Sequence, residues 1–395
     1  MKKEYIYDRS DWPVIAIDEG LIRDALLKFR GAQGRLFGKL DALGFDVQNE
    51  LLLNTVSDEI VTSSEIEGEL LNRSSVRSSV ARRLGINSAG LGDTLPDHYM
   101  EGVVEMALDA TQNFDKPLNE ERLFGWHAAL FPAGRSGIRK ITVGAFRSEE
   151  MTIVSGPFGK EKVHYKAPAP ERVPDEMQKL LNWIEGEQDI DPYAKAGLAH
   201  LWFELLHPFD DGNGRIWRAI ADLLLARAEN SPKRYYSISA QFLNERKDYY
   251  DELDLASRFA GDVTRWTGWF LGCLLRAVLC SEEKLEKSKQ KALMFERVRS
   301  FAMNERQVLM LNRLLEGFEG KLTAAKWAKI CKCSHDTALR DIEDLISKGI
   351  FVRSAEGGRS TSYELKPGKN QHYFGTGWIP VHKSAGEEAK NSCRF

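Results

Sequence analysis

The segment His207-Pro208-Phe209-Asp210-Asp211-Gly212-Asn213-Gly214-Arg215-Ile216-Trp217-Arg218 concentrates the residue types that could do chemistry in this 395-residue chain. Gly212, Asn213 and Gly214 allow a tight turn and close backbone approach to a ligand. They lead into a helix N-terminus, whose free N–H groups and dipole attract anions. Arg215 and Arg218 share one helical face, so two guanidiniums beside that anion hole suit a polyphosphate. Asp211 is a hard oxygen ligand at the same mouth, suited to Mg²⁺ held mainly by phosphate oxygens. His207 enters from the preceding helix and can act as a general base near neutral pH. Together they point to transfer of a phosphate-containing group. An ordinary turn between two helices accounts for the Asp, Gly and Asn residues. It does not account for His207, Phe209 and both arginines in register.

Two helices must hold this loop, and most of the chain reads as helix, so the expected class is mainly all-α. The stripe Leu198, Leu201, Trp202, Leu205 and Leu206 marks the helix before the loop. Further helical patterns cover 18–43, 46–67, 73–84, 97–113, 119–130, 174–187, 215–229, 239–258 and 263–300. The pattern breaks at 141–168, where Met151-Thr152-Ile153-Val154 and Val163-His164-Tyr165 flank a turn at 155–160 and read as a β-hairpin. The stretch 88–96 reads as a linker. The expected domains are a helical extension at 1–95, a catalytic core at 96–298, a small module at 299–368 and a tail at 369–395.

Lys plus Arg is 55 and Asp plus Glu is 58, a formal charge of −3 that argues against a protein coated in nucleic acid. With 43% apolar and 29% charged residues, the composition is that of a globular protein and excludes disorder of the whole chain. No signal-peptide pattern and no membrane-spanning run is present. Five sparse cysteines fit a reducing cytoplasm, and Cys331 and Cys333 lack the spacing of a zinc site.

The loop resembles the Fic motif, HxFx[DE]GNGRxxR, at every fixed position: His207, Phe209, Asp211, Gly212, Asn213, Gly214, Arg215 and Arg218. The resemblance implies a Fic helical-bundle core that transfers AMP from ATP to a hydroxyl of a target protein and releases pyrophosphate. By motif position, His207 would deprotonate the hydroxyl and Asp211 would hold Mg²⁺. Gly212, Asn213 and Gly214 would form the anion hole. Arg215 and Arg218 would hold the β and γ phosphates, and Phe209 would anchor the loop. Gly214, where degenerate motifs carry lysine, favours nucleotidyl transfer over phosphorylation. The hairpin 151–166 would be the flap that docks the target by strand addition, with Arg147 and 165–168 flanking it. Tyr249 and Tyr250 resemble the pair that lines the nucleotide base, although such a pair is as often core. His127 and His200 match positions that often hold histidine, and both read best as hydrogen-bonded core residues.

Ser63, Glu67 and Gly68 match the inhibitory motif of the family, [ST]xxxE[GN]. Ser63 and Glu67 lie on one helical face. The resemblance implies that Glu67 pairs with Arg218, taking the partner of the γ phosphate. The brake precedes the core, which places the chain in the class inhibited within its own chain. The same glutamate could position water to remove AMP, which keeps a de-AMPylating or bifunctional enzyme as an alternative.

Residues 304–366 read as a winged helix: a helix, a helix-turn-helix with Ser334 as cap, and two short strands around Gly357-Gly358. From Lys321 to Lys366 the charge is only mildly basic, and the recognition helix carries Asp341, Glu343 and Asp344 beside Arg340. Protein docking or dimerisation is therefore favoured over DNA. A second alternative, an ATP-sensing transcriptional regulator, would use the winged helix on DNA. The partners implied are a target protein with a Ser, Thr or Tyr hydroxyl, the chain itself and a homodimer.

Overall fold

The computed structural model describes residues 5–13, 17–86, 98–155, 162–258, 263–318, 320–354 and 361–366. The expected linker 88–96, most of the flap turn, the Gly357-Gly358 turn and the tail lie outside them. The described residues are mainly α, with fourteen helices and three two-stranded antiparallel sheets. The chain divides into two compact units, Met1–Ser281 and Glu282–Phe395.

In the first unit the order is α1 (Glu19–Asp41), α2 (Phe45–Ile66), α3 (Arg73–Leu84), α4 (His98–Gln112), α5 (Glu120–Leu130), β1 (Arg135–Ser136), β2 (Arg139–Lys140), β3 (Thr152–Ser155), β4 (Lys162–Lys166), α6 (Val173–Glu185), α7 (Pro192–Leu206), α8 (Asn213–Glu229), α9 (Ile238–Asn244) and α10 (Arg246–Ser257). Helix α11 (Val263–Val298) contains the division between units. That division falls ahead of the expected 298/299 boundary, because Met294 and Val298 belong to the core of the second unit.

Helices α7 and α8 form the centre. Asp191 caps α7 by accepting the Tyr193 N–H at 2.9 Å, and Pro192 sits in the first turn, where its missing N–H costs nothing. The expected apolar stripe proves to be nearly the whole circumference of α7, since Ala196, Ala199, His200 and Phe203 are also buried. Gly197 explains part of this: a Cβ there would lie 2.8 Å from the Phe270 ring. A helix so enclosed gives its C-terminal residue a fixed position.

The N-terminal helices dock on this core through specific polar bonds. Phe29 of α1 packs edge-on to Tyr193 at 4.7 Å, and the Gln33 amide donates to Glu229 at 2.8 Å. Glu59 of α2 accepts from the Ser237 hydroxyl at 2.7 Å and the Ser239 N–H at 3.0 Å, at the start of α9. A carboxylate at a helix N-terminus is favoured by the exposed N–H groups and dipole there. Helix α2 is therefore tied to the core one and two turns before Ser63 and Glu67.

One local expectation needs correction, and one element is not foreseen. The pattern 239–258 is two helices, because Glu245 leaves helical dihedrals (φ −109°, ψ 29°) and its carboxylate receives Arg276 Nη2 at 2.6 Å. A second small hairpin, β1–β2, precedes the expected one, with Gly134 and Gly137 at positive φ around it. It is too short to show the two-residue alternation by which strands are recognised.

The second unit holds α12 (Glu305–Gly317), α13 (Ala324–Cys331), α14 (His335–Ser347), β5 (Phe351–Arg353) and β6 (Tyr363–Leu365). Asn304, Thr323 and Ser334 cap the three helices. Trp327, Ile342, Leu345 and Phe351 centre its core. Asp341 is buried, whereas Asp344 stays partly exposed beside Lys348. Asp341 accepts from Arg306 Nε at 2.7 Å, and Asp344 accepts from the Gln307 amide at 2.7 Å. Among the described residues no helix is long and apolar enough to cross a membrane.

Candidate active site

The loop between α7 and α8 is built by its own side chains. His207 ends α7 in the left-handed region (φ 44°), an unusual conformation for a residue with a Cβ. It is held there because its carbonyl accepts Arg147 Nε at 2.8 Å. The Arg147 N–H donates to the Pro208 carbonyl at 2.8 Å, and Nη2 donates to the Pro168 carbonyl at 2.6 Å. Phe209 is buried and stacks on His127 at 4.4 Å. The Asn213 side chain closes the turn in both directions: its oxygen accepts the Phe209 N–H at 2.9 Å and its Nδ2 donates to the Phe209 carbonyl at 2.8 Å. The Asn213 side chain is thus used up within the turn, which leaves only its backbone N–H for a ligand. Gly212 takes φ 81°, and a Cβ there would lie 2.8 Å from the Phe131 ring. Helix α8 then starts with N–H groups that have no intrahelical acceptor.

His207 is mostly buried, and its Nδ1 lies 3.7 Å from Oε1 of Glu204 one turn earlier. Burial first, and Arg147 second, hold its pKa down to about 4, so the imidazole is neutral near pH 7 and can accept a proton. Burial and the charge of Glu67 push Glu204 up to about 8.

The two arginines are deeply buried. Arg218 donates from Nε to the Ser63 hydroxyl, from Nη2 to the Ser63 carbonyl and from Nη2 to Oε1 of Glu67, each at 2.7 Å. Its side chain is 2% exposed and that of Glu67 32%. Glu67 caps the end of α2, and Gly68 turns away with φ 85°. The Glu67 carboxylate reaches over Gly214, where an added Cβ would stand 1.8 Å from Oε1. A negative group therefore occupies the mouth of the α8 N-terminus. Arg215 donates to the Tyr99 hydroxyl and lies 3.6 Å from Asp211.

The Asp211 carboxylate accepts from the Ser136 hydroxyl of the β1–β2 hairpin and remains 41% exposed. His127 sets its backbone: Nε2 bonds the Asp211 carbonyl at 3.2 Å, and Nδ1 accepts the Gly144 N–H at 3.1 Å. Among the described residues no group of three or more His, Cys, Asp or Glu could hold a metal. One open carboxylate fits a Mg²⁺ whose other ligands are phosphate oxygens and water.

Other expected site residues separate. Tyr249 is buried, stacks with His200 and Trp217 and has its hydroxyl 3.2 Å from His200 Nε2, so it is core. Tyr250 is 45% exposed and keeps a face available. His200 stacks on Trp217 and is buried, a core histidine. In the flap, Thr152 pairs with Lys166, Ile153 with Tyr165 and Val154 with Val163. Met151 lies just outside the strand, yet its carbonyl accepts the Ala167 N–H at 3.0 Å. His164 belongs to β4. Tyr165 turns inward and donates to the Leu205 carbonyl at 2.7 Å, so it anchors the flap rather than facing a target. Tyr99, Ser136 and Glu204 carry no motif, and only the tertiary arrangement brings them to the loop.

Residues 117–225 match the family model described as Fic/DOC family, and residues 5–86 match a domain of unknown function (DUF4172). The chain is 35% identical over 80 residues to the "Probable protein adenylyltransferase" of Aquifex aeolicus, covering 20% of this chain and 23% of that one. It is 32% identical over 91 residues to the protein adenylyltransferase fic-1 of Caenorhabditis elegans, covering 22% and 17%. It is 30% identical over 113 residues to the protein adenylyltransferase Fic of Nematostella vectensis, covering 28% and 25%. The matches thus span about a quarter or less of these relatives' own length. The crystal structure of a Fic family protein from Desulfovibrio desulfuricans G20 shares the fold, with a TM-score of 0.52 at 22% identity, over 91% of this chain and 99% of that one. The motif loop, the matched model and the shared fold agree: this chain carries a Fic/DOC family domain at residues 117–225.

Proposed function

We propose that the chain is a protein adenylyltransferase restrained by its own helix α2. The donor is ATP, and the acceptor is a Ser, Thr or Tyr hydroxyl on a target protein or on the chain itself. The hydroxyl oxygen attacks the α phosphorus, the bond to the β phosphate breaks, and pyrophosphate leaves. The hydroxyl proton passes to Nε2 of His207, which is neutral at pH 7. The α8 N-terminus, Arg215 and Arg218 orient the phosphates, and catalysis is positioning plus charge stabilisation. Mg²⁺, held by Asp211, would supply charge neutralisation on the phosphate oxygens. The edge of the flap would pair with the target segment and bring its hydroxyl to His207.

The observation that carries the restrained state is the Glu67–Arg218 pair, 2.7 Å long and set over Gly214. It takes the guanidinium that a γ phosphate needs and places a negative charge in the anion hole. The test is transfer of label from α-³²P-ATP with Mg²⁺ to wild type, Glu67→Gly and Glu67→Gly/His207→Ala. Label on the single variant alone supports both enzyme and brake. Absence of label on all three, with ATP still bound, overturns the activity.

The winged-helix reading of 304–366 gains one observation in favour of DNA. Asp341 is buried against Arg306, so the exposed face of α14 is less acidic than its sequence. A salt-dependent shift of promoter DNA by the full chain would test it.

A further inference from the structure

We infer that the carboxyl group of Glu204 holds the Nδ1 edge of His207, so that Nε2 is presented to the acceptor hydroxyl. Glu204 is thus a positioning residue for the base. The inference rests on His207 being that base.

The geometry carries it. Glu204 precedes His207 by one helical turn, and Oε1 lies 3.7 Å from Nδ1. The other carboxyl oxygen and Nδ1 itself are both buried without a hydrogen-bond partner. The buried residues of α7 are otherwise apolar, Tyr193 and His200 aside. A carboxyl group placed there costs stability unless it is paired, and such groups collect where chemistry needs them. Two orphaned polar groups facing each other across a small gap are one rotamer change from a bond. The bond tightens when a substrate orders the loop, because catalytic contacts are often long in the free enzyme.

The surroundings decide its charge. Glu204 is faced by Glu67 from the end of α2, Arg218 from α8, Tyr249 and Tyr250 from α10, and Tyr165 from β4. Arg147 faces His207 from the other side. Burial and Glu67 raise the Glu204 pKa to about 8, and Arg218 opposes them. Near pH 7 the carboxyl is therefore protonated, and its carbonyl oxygen can accept Nδ1–H. As the reaction proceeds, the hydroxyl proton arrives on Nε2 and the ring becomes an imidazolium. An ionised Glu204 stabilises that cation better than a neutral one, so the rate rises as Glu204 loses its proton. Removing Glu67 lowers the Glu204 pKa, which moves this rise toward neutral pH. The backbone carbonyl of Glu204 also favours protonated His207 and is the competing orienting group.

The experiment uses the full chain in the Glu67→Gly background. Glu204→Gln and Glu204→Leu are compared with the parent for AMP transfer to the chain itself between about pH 6 and 9.5, for ATP affinity, and for the ¹⁵N resonances of the His207 ring. The parent rate should rise with an inflection at or below about pH 8. Glu204→Gln should flatten that rise while keeping part of the rate, since its amide oxygen still accepts Nδ1–H. Glu204→Leu should lose roughly a hundredfold in kcat with ATP affinity unchanged, and its ring resonances should show a changed tautomer mixture. If Glu204→Gln and Glu204→Leu both keep the parent's kcat, pH profile and ring resonances, the backbone carbonyl alone orients the ring and the inference is overturned. Activity retained by His207→Ala in the same background would instead refute the base assignment. The ring resonances answer the positioning question in either case.

Discussion

A side-chain carbon on Gly214 would stand 1.8 Å from Oε1 of Glu67. The carboxylate therefore uses the space that glycine leaves over the first turn of α8, and from there reaches Arg218 at 2.7 Å. The absence of a side chain at 214 gives the carboxylate that room, and under the proposed function it would also let a phosphate approach.

This gives a stability test that needs no activity. Gly214→Ala should destabilise wild type by about 1–3 kcal/mol, the usual cost of forcing a carbon into occupied space. In the Glu67→Gly background the same change should be nearly neutral. Urea unfolding of the four proteins gives the coupling, and equal effects in both backgrounds would show that Glu67 does not sit over Gly214.

Ser63 makes two of the bonds to Arg218, but only one uses its side chain. Ser63→Ala removes the hydroxyl at 2.7 Å from Nε and leaves the carbonyl and Glu67 in place. The loss is about 0.5–1.5 kcal/mol of restraint, roughly a twofold to tenfold rise in self-labelling. Glu67→Gly, which removes the oppositely charged partner of the guanidinium, should exceed it, with roughly tenfold to hundredfold more label than wild type. Equal labelling by the two variants would place the restraint elsewhere.

His207 has a folded pKa of about 4 against an ordinary 6.5. Between those values the unfolded chain binds a proton that the folded chain refuses. Its contribution to stability is therefore complete above the ordinary value and is lost as pH falls through the folded one, at most about 3 kcal/mol in all. Melting temperature should fall more steeply from pH 6.5 to 4 in wild type than in His207→Gln. Parallel curves would mean that His207 is not buried in its neutral form.

Arg147 donates to the carbonyls of Glu149, Pro168 and His207, and its backbone N–H donates to that of Pro208. Its planar fork joins the root of the β3–β4 hairpin to the loop between α7 and α8. Arg147→Lys keeps the charge but cannot reach three carbonyls at once. It should cost about 1–3 kcal/mol in denaturant unfolding and lower kcat in the Glu67→Gly background, with ATP affinity retained. An unchanged kcat would show that the left-handed His207 holds without it.

The sequence by itself determined the motif loop, the helix boundaries set by strong caps, and the placing of Ser63 and Glu67 on one helical face. His207 to Arg218 is continuous, so the motif and the turn it forms were legible there. Asn72 and Gly85 bound α3 where their capping chemistry predicts. Short or interrupted elements were not legible: the β1–β2 hairpin has too few residues for a period, and the break at Glu245 lies inside a helical pattern. Tertiary structure alone decided which of two adjacent tyrosines is core and which is exposed, and turned Tyr165 and Asp341 inward. It also brought Ser63 and Glu67 across the chain to Arg218, and set Tyr99 and Ser136 against Arg215 and Asp211. The physical reason is the range of the interactions. Capping, turn formation and helical periodicity act within a few residues and leave their mark in sequence. Burial and charge pairing depend on which distant faces meet, and that is decided only when the helices pack.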